Sequence, residues 1–220
     1  MAPSGTWSSI GWRFRRDSAE RAMGAVEDAV AALRAGGLVV LPTDTVYGLC
    51  ASPRDAAAIA RINELKERPE QPIALVAASA QALVDCVPVL SGRWQKRLEA
   101  LLPGPYTLVL PNPERRLPWL SPGREQTVGV RVPELPEPAR KLLEQFGAVA
   151  ATSANRHGGT DPRRVEEIPE QIRVAAGAVL DAGELPGTPS TVIDLSGPEP
   201  VVLRVGAGDP ERALTLLRRE

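Results

Sequence analysis

VVLPTDTVYGL, residues Val39 to Leu49, starts as an apolar run that reads as a buried strand and is halted by Pro42. The hydroxyls of Thr43, Thr45 and Tyr47, the acid Asp44 and Gly48 follow within a few positions. Polar groups crowded onto the end of a strand make either an ordinary turn or a loop that holds a ligand. From this stretch alone both readings stand, and for Asp44 so do two roles, capping the turn or meeting a cation.

Around it, helical and strand patterns alternate. Ala22, Val26, Ala29, Val30 and Leu33 recur at helical spacing, with Ser18 as a cap and Gly36-Gly37 as a stop. Leu38–Leu41 is a strand, and a new helix is expected directly after the polar cluster, from about Pro53 to Lys66, where Pro69 and Pro72 forbid its continuation. Further strands are expected at Ile73–Ala77, Tyr106–Leu110, Thr127–Val132, Ala148–Ala151, Ala178–Asp181, Thr191–Leu195 and Val201–Val205. Helices are expected at Ala80–Val84, Gly92–Leu102, Pro138–Phe146, Arg163–Val174 and from about Pro210, and Pro111–Glu125 is expected to be the only long irregular segment. This interleaving predicts one α/β domain with a mixed sheet, residues 17–220, behind an N-terminal extension, residues 1–16, in which one short strand is expected at Ile10–Arg15.

The totals narrow the function classes. A chain of 220 residues, 43% hydrophobic, can bury a sizeable core, and a formal net charge of −1 provides no global field for a nucleic-acid coat or an acidic membrane. The N-terminus has no apolar core of a secretory signal, and no run approaches the ~18 apolar residues of a membrane span, so a cytoplasmic protein is expected. Cys50 and Cys86 have no metal-type spacing and read as small apolar side chains in a reducing compartment.

Three segments place hydroxyl, amide or glycine residues at a strand terminus: PTDTVYGL, VAATSANRHGG (Val149–Gly159) and GTPSTVIDL (Gly187–Leu195). Ligands of open α/β sheets sit beyond strand ends, where loop side chains and backbone amides converge. Lys66 and Arg68, at a helix end stiffened by prolines, suit either a helix C-terminus or a polyphosphate, Lys as point charge and Arg as fork. Arg131 stands in the Val- and Gly-rich TVGVRVP, where a charge is costly unless paired, so it either lies on an exposed face or binds a carboxylate. His157 is the only histidine and lacks partners for zinc, Ser153 is not in a nucleophile elbow, and no GxxxxGK[ST] phosphate loop occurs.

Taken in order, PTDTVYGL, KERP, LPGPYTLVL, TVGVRVP, ATSAN, PSTVIDL and LRVGA closely resemble the YrdC-like family of threonylcarbamoyl-AMP synthases, over roughly residues 20–207. The resemblance implies a single α/β domain with a twisted mixed sheet flanked by helices around a deep concave cavity, in the short single-domain form. It implies an ATP-dependent condensation of L-threonine with bicarbonate or CO2 to threonylcarbamoyl-adenylate and pyrophosphate. Magnesium is expected with ATP, and a tRNA threonylcarbamoyl transferase would accept the product for the adenosine beside the anticodon. By the same resemblance Lys66 and Arg68 are catalytic and, with Thr127, Ser153, Asn155 and Arg204, bind ATP. Thr43, Tyr47, Arg131 and Ser190 bind threonine, no side-chain metal site is expected, and Ala77 stands near a position where some relatives carry histidine. Two alternatives remain beside this one: a carbamoyl-adenylate-forming homologue, and an RNA-binding module without catalysis, in which tRNA itself binds.

Overall fold

Residues 23–218 are described by the structure, a computed structural model, and side-chain alternation along their strands decides what lies where. The strands are β1 (Leu38–Pro42), β2 (Tyr47–Ala51), β3 (Ala74–Ala77), β4 (Tyr106–Pro111), β5 (Thr127–Arg131), β6 (Ala148–Ser153), β7 (Ala176–Val179), β8 (Thr191–Asp194) and β9 (Val201–Arg204). They form one mixed sheet in the order β7-β1-β2-β6-β3-β5-β4-β8-β9, parallel at β1/β7, β3/β5 and β4/β8 and antiparallel elsewhere. Its helices are α1 (residues 23–34), α2 (Ala56–Leu65), α3 (Ala80–Cys86), α4 (Arg93–Leu101), α5 (Glu137–Phe146), α6 (Glu170–Ala175) and α7 (Pro210–Leu217). Asp55, Ser79 and Asp209 cap α2, α3 and α7 by accepting backbone N–H groups of the first turn. No helix among the described residues is long and apolar enough to cross a membrane.

On one face, Leu38 and Val40 of β1, Tyr47, Leu49 and Ala51 of β2, Leu75 of β3, Leu108 of β4, Val128 and Val130 of β5 and Ile193 of β8 pack against α2, α3, α4, α6 and α7. The alternate residues, Val39, Leu41, Cys50, Val76 and Val149, meet Val26, Ala29, Val30 and Leu33 of α1 and Ala139, Leu142 and Leu143 of α5. That second core spans β7, β1, β2, β6 and β3. The alternate side chains of β5, β4 and β8 have no helix over them among the described residues, and there the sheet faces open space.

Several elements differ from the sequence reading. The polar cluster leads into a second strand, β2, which pairs with β1 from Pro42↔Tyr47 to Val39↔Cys50, so residues 43–46 are a connection between antiparallel strands. The helix expected over Arg163–Val174 shortens to α6, because Pro169 fixes its start and only a 3-10 turn, Val165–Glu167, precedes it. Pro111–Glu125, which contains a 3-10 turn at Pro118–Leu120, is also not the only long irregular segment: residues 180–190 form no helix or strand. The expected strand at Ile10–Arg15 and the Ser18 cap lie outside the described residues.

Candidate functional site

A cavity of about 280 Å³ occupies the uncovered part of the sheet. Its floor is made by the alternation just described: Thr107 and Val109 from β4, Thr127, Gly129 and Arg131 from β5, and Val192 from β8. A Cβ on Gly129 would come no closer than 3.8 Å to Thr107, so the missing side chain is floor space rather than a backbone necessity. Thr43, Thr45 and Ser153 come from strand ends, and Ser190 and Arg204 from the sheet's far edge.

The opening stretch is both a turn and a wall. Thr43 Oγ1 donates to Val46 O at 2.8 Å, accepts from the backbone N–H groups of Thr45 and Val46 at 3.2 Å, and lies 2.9 Å from Thr45 Oγ1. Gly187 N donates to Thr45 O at 2.8 Å, which fastens this turn to the loop that carries Ser190.

Arg131 is 8% exposed. Its Nη2 donates to Asp44 Oδ1 and, at 2.8 Å, to Thr45 Oγ1, while Nε is buried with no acceptor among the described residues. Burial pulls the guanidinium below its ordinary pKa, the Asp44 carboxylate opposes that, and the neighbouring charge of Arg204 adds to it. Arg204 donates through Nε and Nη2 to Ser190 O at 3.1 and 2.9 Å, and through Nη2 to Ser190 Oγ at 3.2 Å; that hydroxyl also pairs with Thr107 Oγ1 at 2.8 Å. The strand's continuation presses on the same loop, since a Cβ at Gly206 would stand 2.1 Å from Pro189 O and 2.6 Å from Ser190 O.

Lys66 approaches from the other layer. It caps the C-terminus of α2, is 2% exposed, and donates through Nζ to Ser153 O and Asn155 O at 2.6 Å and to Asn155 Oδ1 at 2.8 Å. Burial and the nearby Arg68 charge push its pKa down to about 8, against the pull of Asp161. Asn155 passes the network on, donating through Nδ2 to Gly159 O at 2.6 Å and Asp161 Oδ1 at 3.1 Å. Arg68 gives Nε to Asn63 Oδ1 at 2.9 Å, its Nη2 has no partner among the described residues, and burial lowers its pKa.

Of the residues singled out from sequence, the cavity wall therefore holds Thr43, Thr127, Arg131, Ser153, Ser190 and Arg204. Lys66, Arg68 and Asn155 lie behind its Ser153–Asp161 end and are not on the wall. Tyr47 is a correction. It points to the opposite face, where its hydroxyl donates to Asp181 Oδ1 and Gly183 O at 2.7 and 2.8 Å and accepts from Ala182 N, and burial raises its pKa to about 12. Alternation explains it, because Gly48, the next residue of β2, takes the cavity side. The sequence reading missed Asp161 and Arg124, which also line the cavity; in so Arg-rich a chain nothing marked Arg124 apart.

The family model for Sua5, YciO and YrdC proteins, described as "Telomere recombination", matches residues 31–206. A threonylcarbamoyl-AMP synthase of Halorhodospira halophila is 41% identical over 144 residues, 65% of this chain and 75% of its own length. A putative threonylcarbamoyl-AMP synthase of Mycobacterium tuberculosis is 34% identical over 203 residues, covering 91% of this chain and 92% of its own. Among solved structures, P. abyssi Sua5 complexed with L-threonine superposes with a TM-score of 0.77 at 35% identity, over 87% of this chain and 57% of that longer one. The matched span runs from within α1 to just past β9 and takes in the whole cavity, and on these grounds the chain belongs to the Sua5/YciO/YrdC family.

Proposed function

We propose that this protein condenses L-threonine, bicarbonate or dissolved CO2, and ATP into threonylcarbamoyl-adenylate and pyrophosphate. One observation carries the reading: a single cavity joins Arg131 and Arg204 to a ring of hydroxyls from Thr43, Thr127, Ser153 and Ser190. The names of the relatives and the threonine complex of the P. abyssi protein support the same chemistry.

Threonine is first N-carboxylated. A carbamate oxygen then attacks the α-phosphorus of ATP, the bond to the bridging oxygen breaks, and pyrophosphate leaves with the electron pair. Such a displacement needs no nucleophile from the protein; positioning and charge neutralisation lower its barrier. Arg131 offers its guanidinium to the amino-acid carboxylate, while Thr43 and Ser190 line the same recess. Arg204, Thr127 and Ser153 face the nucleotide. For the phosphates, Lys66 sets positive charge behind the Ser153–Asn155 backbone while holding it in place, and Arg68, whose Nη2 is buried and unpaired among the described residues, adds a second charge beside it. Magnesium would enter on the triphosphate, held by phosphates and water, as that ion prefers.

The product is a mixed anhydride, to be consumed by a transferase that acylates the adenosine beside the tRNA anticodon, in the cytoplasm. The test is ATP-to-pyrophosphate conversion with threonine and bicarbonate supplied or withheld. Turnover that needs both is expected; turnover with carbamoyl phosphate in their place would overturn the reading.

A further inference from the structure

Asp44 is the acid paired with Arg131, and the proposed chemistry has not used it. We infer that Asp44 is the positioning residue for amino-acid recognition, holding Arg131 so that one edge of its guanidinium serves the substrate; the inference rests on the function proposed above.

The geometry supplies each step. Asp44 is itself held from outside the cavity, because Glu134 N donates to its Oδ2 at 3.1 Å. Its Oδ1 accepts from Arg131 Nη2, and Thr45 Oγ1 accepts from the same nitrogen at 2.8 Å, so both hydrogens of Nη2 are engaged by the turn. Nη1 carries no hydrogen bond among the described residues and is not one of the buried, unpartnered atoms, so it is the guanidinium nitrogen that remains for the cavity. With its two outer nitrogens so divided, the guanidinium cannot spin about its own axis without surrendering the Asp44 and Thr45 bonds.

Charge adds a second reason. Arg204 is close enough to disfavour the charge on Arg131, and Asp44 is the carboxylate paired with Arg131. With Asp44 in place the recess presents about one net positive charge, which matches one carboxylate. Without it Arg131 would be a buried cation with no counter-ion, free to turn toward the nucleotide's phosphates. Asp44 thus keeps the two anions of the reaction, carboxylate and triphosphate, on separate cations.

The experiment uses the full chain with D44N and D44A. Threonine and ATP KM are measured in the pyrophosphate assay, threonine binding by calorimetry, and folding by circular dichroism and Tm. Asp44→Ala should raise the threonine KM and Kd roughly 30- to 100-fold, with the ATP KM held within about twofold. Asp44→Asn keeps an acceptor for Nη2 but no charge and should show a smaller rise, about tenfold. If D44A fails to fold, D44N alone decides. A threonine KM unchanged in D44N, or threonine and ATP KM rising in step, overturns the inference while leaving the proposed function intact. A wild-type protein with no threonine requirement overturns both.

Discussion

Arg131 and Arg204 reach the cavity from within the sheet, as side chains of β5 and β9, whereas Lys66 and Arg68 approach its end from the C-terminus of α2, in the helical layer on the opposite face. The first pair stands on the wall and is braced by side chains and carbonyls of the recess: Asp44 and Thr45 for one, Ser190 for the other. Of the second pair, Lys66 is braced by the chain that forms the wall and Arg68 by helix α2. Lys66 holds the carbonyls of residues 153 and 155, and Arg68 holds Asn63. The difference separates two uses of buried positive charge. A cation on the wall can act by touching a ligand; a cation behind the wall acts by shaping it, and its removal has to cost structure as well as activity.

That distinction can be broken by substitution. The largest effect is expected at Arg68→Ala, which should cut turnover by on the order of 10³ and lower Tm by less than Lys66→Ala does, since it removes one bond to the buried Asn63 amide and a longer one to Gln71. Lys66→Ala should lose comparable activity and also stability, by roughly 2–4 kcal/mol, because buried carbonyl oxygens lose their donor. A Tm unchanged in both variants would erase the contrast. Next comes Arg131→Ala, expected to raise the threonine KM about 100-fold with little change for ATP. An unchanged threonine requirement there would remove the amino-acid end of the site.

The smallest effect sharpens the contrast through pH. With its pKa near 8, Lys66 loses its proton in the mildly alkaline range, and a neutral amine has too few hydrogens for its three acceptors. Activity should therefore fall as pH rises through about 8, and Lys66→Arg should carry that fall beyond pH ~10. The same shift acts on stability with the opposite sign. A lysine whose folded pKa is depressed makes the unfolded chain bind more protons between about 8 and the ordinary lysine value, so its burial penalty is full below that window and relieved as pH climbs through it. Pyrophosphate release and chemical denaturation, each followed across pH 7 to 10, check the two signs separately.

Much of the fold was legible because most strands are apolar runs or strict alternations. β5 shows how far that reaches: TVGVR puts Val128 and Val130 on the packed face and Thr127, Gly129 and Arg131 on the open one, so the odd charge in an apolar strand marks the cavity. β2 was missed because YGLCA lacks β-branched residues, has Tyr47 alone to favour a strand, and follows a polar turn. The error over Tyr47 followed directly. Once β2 is a strand, period two sends Tyr47 and Gly48 to opposite faces. Lys66 was marked by its motif, but no local pattern reveals that its ammonium would be consumed by carbonyls almost ninety positions away. The role of Asp44 stayed open for the same reason, since its partner Arg131 is equally distant in sequence.

Gly206 ties two of these features together. With 2.1 Å between a hypothetical Cβ and Pro189 O, the backbone beyond β9 lies against the segment bearing Ser190, and only a hydrogen fits there. The width of the recess is thus fixed at second hand, by how closely two stretches of main chain are allowed to lie. Redesign for a bulkier or slimmer amino acid would begin at this main-chain contact, with exchange of the hydroxyl-bearing residues following it.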